Sequence, residues 1–157
     1  MIEWNRRPVE VKYLFNPAFC GRILFAAIKE YGSMPFPIVY LVLPLILHKK
    51  TRQNIKTSRT KFHEWTHEHD ELLIGFSQRA RGMVEITNEA IELLVQTGLL
   101  QISNSGELFC SVDAKLSESR FADQEIKECI SKSKILGHWF YSAGSTEAIY
   151  ISLGVKP

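Results

Sequence analysis

The sequence predicts a mainly helical α+β fold, and three observations point to it. Several segments place their apolar residues three and four positions apart, which is the spacing of one helix face. A region around Asn104-Ser105-Gly106 alternates apolar and polar residues on both sides of a turn signal, which predicts one β-hairpin. The segment Phe36–Leu47 has no charged residue and is typical of a helix buried on nearly all sides. Because the chain has 157 residues and no internal repeat, we expect a single domain over residues 1–157.

The first helix is predicted to begin at Asn16-Pro17, after an extended lead-in over residues 1–15. An Asn side chain caps free amides at a helix start, and Pro loses no hydrogen bond in the first turn. The helix should run to about Tyr31 and stop at Gly32. Its apolar surface is broad and includes Cys20, which we interpret as a packing residue.

The segment Met34–Lys50 is predicted to form a bent central helix. Pro37 suits the first turn, and Pro44 would kink the helix one or two turns later. The apolar run is shorter than the roughly 20 residues that cross a bilayer, so we expect no membrane association. Basic residues follow at once, and the helix is therefore expected to end in a solvated tip formed by His48, Lys49, Lys50 and Arg52.

The next segment, Lys49–Thr60, carries several cations and no acid. It is predicted to be either a mobile loop that serves as a contact surface or a solvated linker. Short helices are expected at Lys61–His69 and Glu71–Met83. In the second helix, Arg79 and Arg81 are either salt-bridging surface residues or side chains that hold a partner's carboxylates.

Residues 74–112 have the element order of a winged helix, in which two helices precede a β-hairpin. Thr87 is the predicted N-cap of a helix over Asn88–Thr97, and Gly98 stands where a left-handed cap is needed. The hairpin strands are predicted at Leu99–Ser103 and Glu107–Val112.

Most winged helices bind DNA through the second helix, but the exposed positions of this one carry no Lys or Arg. Phosphate binding needs cations at those positions, and the net charge of +2 does not indicate a nucleic-acid partner. Protein contact is therefore the expected use of this segment, and a winged-helix DNA-binding regulator is the alternative. The exposed positions are Asn88, Glu89, Glu92 and Gln96.

A long helix is predicted from about Arg120 to Ala143, after a polar join at Lys115–Asp123. Gly137 is a candidate interruption of that helix. Ser145 can cap a last short helix over Thr146–Leu153. The apolar C-terminus is expected to dock on the core.

One stretch matches a metal-binding motif. His63-Glu64-Trp65-Thr66-His67 fits HExxH, in which two His one turn apart bind zinc and the Glu acts as a base. The polar residues around it predict a solvated face, and no third ligand is singled out. A zinc peptidase is therefore a third and weaker hypothesis.

Other catalytic signals are missing from the sequence. It contains no phosphate-binding loop, no nucleophile elbow and no dinucleotide-binding motif. The cysteines are odd in number and widely spaced, which is typical of reduced thiols in a cytoplasmic protein. We therefore expect no enzymatic activity, no cofactor and no metal.

Several stretches resemble, in order, the middle-component family of bacterial three-component ABC systems. They are Leu14–Cys20, Leu41–Arg52, Ile74–Ala80, Thr87–Ile102 and Leu136–Pro157. The most specific marks are Asn16-Pro17-Ala18-Phe19, Pro44 with His48-Lys49, Thr51-Arg52, and the Leu153-Gly154-Val155 ending. HExxH is not a mark of this family.

The resemblance implies a non-enzymatic adaptor subunit. In such systems it would link an SMC-like ABC ATPase to an effector, often a nuclease, in anti-phage defence of the Lamassu kind. The ATPase would carry the DNA sensing, so that DNA is met only indirectly. We assign partner binding to basic side chains, because uncompensated cations suit an acidic partner surface. The predicted partner-binding residues are His48, Lys49, Lys50, Arg52, Arg79 and Arg81.

Overall fold

The computed structural model describes residues 16–116 and 123–155. This part of the chain contains eight α-helices and a three-stranded antiparallel sheet, which confirms the predicted mainly helical α+β class. The predicted lead-in and Arg120, the predicted start of the long helix, lie outside the described residues. The long helix itself begins at Gln124, where the Asp123 side chain accepts the amide of Glu125 at 2.7 Å. In chain order the elements are α1 (Pro17–Tyr31), β1 (Ser33–Pro35), α2 (Phe36–Ile46), α3 (Lys49–Gln53), α4 (Phe62–Glu68), a 3-10 helix (Asp70–Leu73), α5 (Phe76–Gly82), α6 (Val84–Gln96), β2 (Leu100–Ile102), β3 (Glu107–Cys110), α7 (Gln124–Ala143) and α8 (Thr146–Leu153).

The first helix begins as its sequence predicts. The Asn16 side chain accepts hydrogen bonds from the amides of Ala18, at 2.8 Å, and Phe19, at 3.4 Å. Helix α2 is shorter than the predicted helix over Met34–Lys50, because Met34 lies in β1 and Lys49 and Lys50 belong to α3. Pro37 lies in its first turn and Pro44 lies inside it. Most side chains of α2 are buried in the hydrophobic core.

The sheet contains a strand that the sequence did not reveal. Strand β1 pairs with β3, with Met34 opposite Leu108, and β2 pairs with the other edge of β3. The hairpin prediction is confirmed, but the sheet to which the hairpin belongs is not contained in residues 74–112. The third strand comes from the turn between α1 and α2.

Two further predictions about helix boundaries are wrong. The predicted helix at Glu71–Met83 is divided at Gly75, whose φ of +77° follows the short 3-10 helix. Thr87 is not an N-cap, because α6 already begins at Val84. The Thr87 side chain is buried, and its hydroxyl donates to the carbonyl of Met83 at 2.7 Å.

Gly137 does not interrupt the long helix but allows it to approach α1 closely. Helix α7 continues through this residue, and a Cβ added there would lie 2.3 Å from the carbonyl oxygen of Ala27. One turn earlier, the buried Ser133 hydroxyl donates to the carbonyl of Ile23 at 2.7 Å. Backbone therefore packs against backbone where α1 and α7 meet.

None of the helices within residues 16–116 and 123–155 combines the length and the apolar character needed to cross a membrane.

The three cysteine thiols are expected to react slowly in the folded protein. Burial raises the pKa of Cys20 to about 12 and the pKa values of Cys110 and Cys129 to about 11. Little thiolate is then present at pH 8, and the thiolate is the reactive form. Titration with a chromogenic disulfide should show slow labelling that begins at the half-buried Cys110, and immediate labelling of all three after unfolding in guanidinium. Rapid stoichiometric labelling of Cys20 in the native protein would contradict this prediction.

Candidate functional site

His48, one of the predicted site residues, lies just after the end of α2 and is half-buried. Helix α5, which carries Arg79, packs against α2. Burial lowers the pKa of His48, and the charges of Arg79, Lys50 and Arg52 lower it further. The imidazole is therefore largely neutral near pH 7, and its Nδ1 lies 2.6 Å from the Thr51 hydroxyl oxygen.

The Arg79 side chain is bonded within the chain. Its terminal nitrogens donate to the carbonyls of Leu72, at 3.2 Å, and Ile74, at 3.1 Å, and its guanidinium lies 5.6 Å from the Phe76 ring centre. Burial lowers its pKa. Arg79 thus holds the 3-10 helix against the start of α5. The sequence had suggested either a surface salt bridge or a contact with a partner's carboxylate, and neither interpretation included this role.

Arg52 is buried, which contradicts the expected solvated position. Its side chain is 0% exposed and donates to the carbonyl of Ile46 at 2.9 Å and to Glu125 Oε1 at 3.0 Å. Its Nε also lies 3.5 Å from Glu128 Oε1. Helix α3 turns Arg52 inward, and both carboxylates come from α7, far along the sequence. The solvated basic tip therefore consists of Lys49 and Lys50, which are exposed, beside the half-buried His48.

The segment Lys49–Thr60 was predicted to be a mobile loop or a solvated linker, but it is bound to the rest of the fold by several contacts. Its first part forms α3, and Ile55 is fully buried. The indole N–H groups of Trp65 and Trp139 each donate to a backbone carbonyl of this segment at 2.9 Å. The loop is therefore held against α4 and α7.

Arg81 lies at a different place, on the edge of an apolar groove. The groove has a volume of about 640 Å³, and its walls come from α2, α5, α6 and the end of α8. The hydroxyl of Tyr150 donates to the carbonyl of Pro37 at 2.5 Å, which joins two of the walls. Val84 contributes an apolar side chain that is 41% exposed. Sequence reasoning missed this groove because its walls are distant in the chain; the one local signal was Val84, an apolar residue between two predicted helices.

The exposed face of α6 is acidic. Glu89, Glu92, Asn88 and Gln96 are exposed as predicted, and Glu85 adds a third carboxylate to the same face. No Lys or Arg stands on α6. Such a face repels the phosphates of DNA.

The HExxH motif lies on α4 with His63, Glu64 and His67 all exposed, as expected for a solvated face. Within residues 16–116 and 123–155, no three side chains of His, Cys, Asp or Glu are grouped as a metal site requires.

One comparison with known proteins gives a match. The family model described as ABC-three component (ABC-3C) system Middle Component 3 matches residues 4–157. No curated protein and no solved structure matches the chain.

Proposed function

The chain belongs to the middle component 3 family of ABC-three component systems, and we propose that it is a non-enzymatic adaptor that holds an SMC-like ABC ATPase and an effector protein together. The proposal includes a cytoplasmic location and a role in bacterial anti-phage defence. In this role the ATPase binds DNA, and the adaptor contacts DNA only indirectly. The apolar groove beside Arg81 is the observation that supports it most directly.

The apolar groove suits a helical segment of a protein partner. Amphipathic helices bind in apolar grooves of this kind through side chains one turn apart. Tyr40, Tyr150 and Arg81 line the groove, and Tyr and Arg are enriched among the residues that dominate binding energy at interfaces. Among the described residues, Arg81 forms no ion pair. We therefore expect the bound segment to place a carboxylate beside Arg81.

Two further surfaces of opposite charge suit a subunit that binds two partners. The basic tip presents Lys49 and Lys50, which form no ion pair within the described part of the chain. The exposed face of α6 presents Glu85, Glu89 and Glu92. The basic surface favours an acidic partner and the acidic surface favours a basic one. Each surface repels a partner of its own charge.

Within this proposal, the winged-helix unit is larger than the predicted segment 74–112 and covers Pro17–Cys110. The sheet order β1-β3-β2 draws its third strand from between α1 and α2, so the two earlier helices belong to the same unit. The alternative function, a DNA-binding regulator, would need α6 to face phosphates. The carboxylates on α6 make protein contact the better use.

The first test is a pull-down of the tagged chain expressed with its neighbouring genes. Recovery of an ABC-type ATPase and an effector in a fixed ratio is the expected result. Recovery of the chain alone, or on DNA without either protein, would overturn the adaptor proposal and favour the regulator.

Val84→Asp is expected to weaken capture of one partner by about tenfold or more, as loss of a central interface contact does. The new carboxylate lies in the apolar groove and repels the acidic group expected beside Arg81. An Asp in the first turn of α6 is favourable for the helix, so the fold should be retained. Val112→Asp is the matched control, since Val112 is 98% exposed and lies away from the groove. Equal capture by both variants would exclude the groove as the docking site.

A further inference from the structure

A second groove, separate from the apolar one, lies between the loop after α3, the start of α4, and helices α7 and α8. Its volume is about 500 Å³. The polar side chains that line it include Arg59, Lys61, His63 and His138, together with the hydroxyls of Ser58 and Ser142. None of the described residues that line it is acidic. The adaptor proposal makes no use of this site.

The loop that carries Arg59 is held in place by hydrogen bonds. The carbonyl of Thr57 accepts the indole N–H of Trp139 at 2.9 Å, and the hydroxyl of Thr57 accepts the amide of Arg59 at 3.3 Å. Below the loop, the buried ring of Phe62 packs edge-on against Phe140, with ring centres 5.1 Å apart. The backbone around the groove is therefore held in place by contacts with the core. Less conformational entropy is lost when a ligand binds to a site that is already ordered.

The charges of the groove are available to a ligand. Arg59 and Lys61 are exposed, and neither forms an ion pair among the described residues. A guanidinium matches the geometry of phosphate oxygens, and hydroxyl groups donate additional hydrogen bonds to them. A concave site with these donors and without a carboxylate favours an anion.

From this arrangement we infer that the groove binds a small phosphorylated ligand. Its volume is within the roughly 300–1,000 Å³ of small-molecule sites. Nucleic acid is a poorer fit, because a strand needs cations placed along many phosphates, whereas Arg59 and Lys61 are gathered in one concavity. The apolar part of the lining, which includes Phe62 and Ala148, leaves room for an organic group attached to the phosphate.

The test is isothermal titration calorimetry of the full chain with inorganic pyrophosphate and with ADP. We expect saturable binding of at least one of them, and a loss of about tenfold or more in affinity for the double variant Arg59→Ala and Lys61→Ala, which removes two charge-assisted contacts. Tighter binding of ADP than of pyrophosphate would assign the site to an organic phosphate, and the reverse order to free phosphate.

Lys56→Ala is the matched control. Lys56 is an exposed cation of the same loop but does not line the groove, so its removal should leave the affinity unchanged. Circular dichroism melts of all variants establish that the fold is kept. The inference is overturned if neither probe binds, if Lys56→Ala weakens binding as much as the double variant, or if citrate binds as tightly as pyrophosphate.

Discussion

Gly137→Ala is expected to lower the free energy of unfolding by about 3 kcal/mol, at the upper end of what overpacking usually costs. The new Cβ would lie 2.3 Å from the carbonyl oxygen of Ala27 and 3.1 Å from its Cα. Both atoms belong to the backbone of α1, so no side chain can rotate away. Helices α1 and α7 must separate, which also stretches the hydrogen bond from Ser133 to Ile23. Urea denaturation followed by circular dichroism measures the effect.

Gly82→Ala is the matched control for this prediction. Gly82 is the last residue of α5, and nothing lies within 4 Å of a Cβ built there. The same substitution should therefore be neutral or stabilise by up to about 1 kcal/mol, through the lower backbone entropy of Ala. If the two variants unfold at the same urea concentration, α1 and α7 do not approach as closely as described.

The parts of the fold predicted from the sequence are those specified by neighbouring residues. Asn16 caps α1, Ser145 caps α8 through the amide of Ala148, and Gly98 has a φ of +79°. Each depends on groups within a few positions along the chain. Strand β1 was missed because three residues ending in Pro show no alternation, and its partner Leu108 is distant in sequence. Gly137 was misread because a glycine that breaks a helix and one that admits a neighbouring backbone look alike in sequence.

The candidate site also has features that local sequence predicts and features that depend on distant residues. Lys49 and Lys50 are exposed, as a run of like charges at a helix end predicts. Arg52 stands in the same run, but its environment depends on carboxylates more than 70 positions away. The apolar groove depends on four elements that converge only in the folded chain. A charge run therefore predicts a basic surface without showing which of its members turn inward.

Arg52→Ala is expected to lower the free energy of unfolding by about 3 kcal/mol, as loss of one member of a buried ion pair does. The guanidinium joins the end of α2 to α7, because it donates to the Ile46 carbonyl and pairs with Glu125 and Glu128. Its removal leaves a buried carbonyl without a donor and a cavity at the base of the basic tip. The two carboxylates, 42% and 33% exposed, remain partly hydrated, which limits the cost to the lower end of the range for buried pairs.

The variant Arg52→Met tests how much of the stability comes from the packing of the Arg52 side chain and how much from its charge. Met fills much of the same volume, so a stability near that of the wild type would show that the aliphatic stem of Arg52 matters more than its ion pairs. We expect instead that Met recovers only part of the loss, because the Ile46 carbonyl stays unbonded. Lys50→Ala is the control, since Lys50 is exposed and should change stability by less than about 0.5 kcal/mol. Equal stability of the Arg52 and Lys50 variants would mean that Arg52 is solvated after all, and it would return Arg52 to the partner-binding surface.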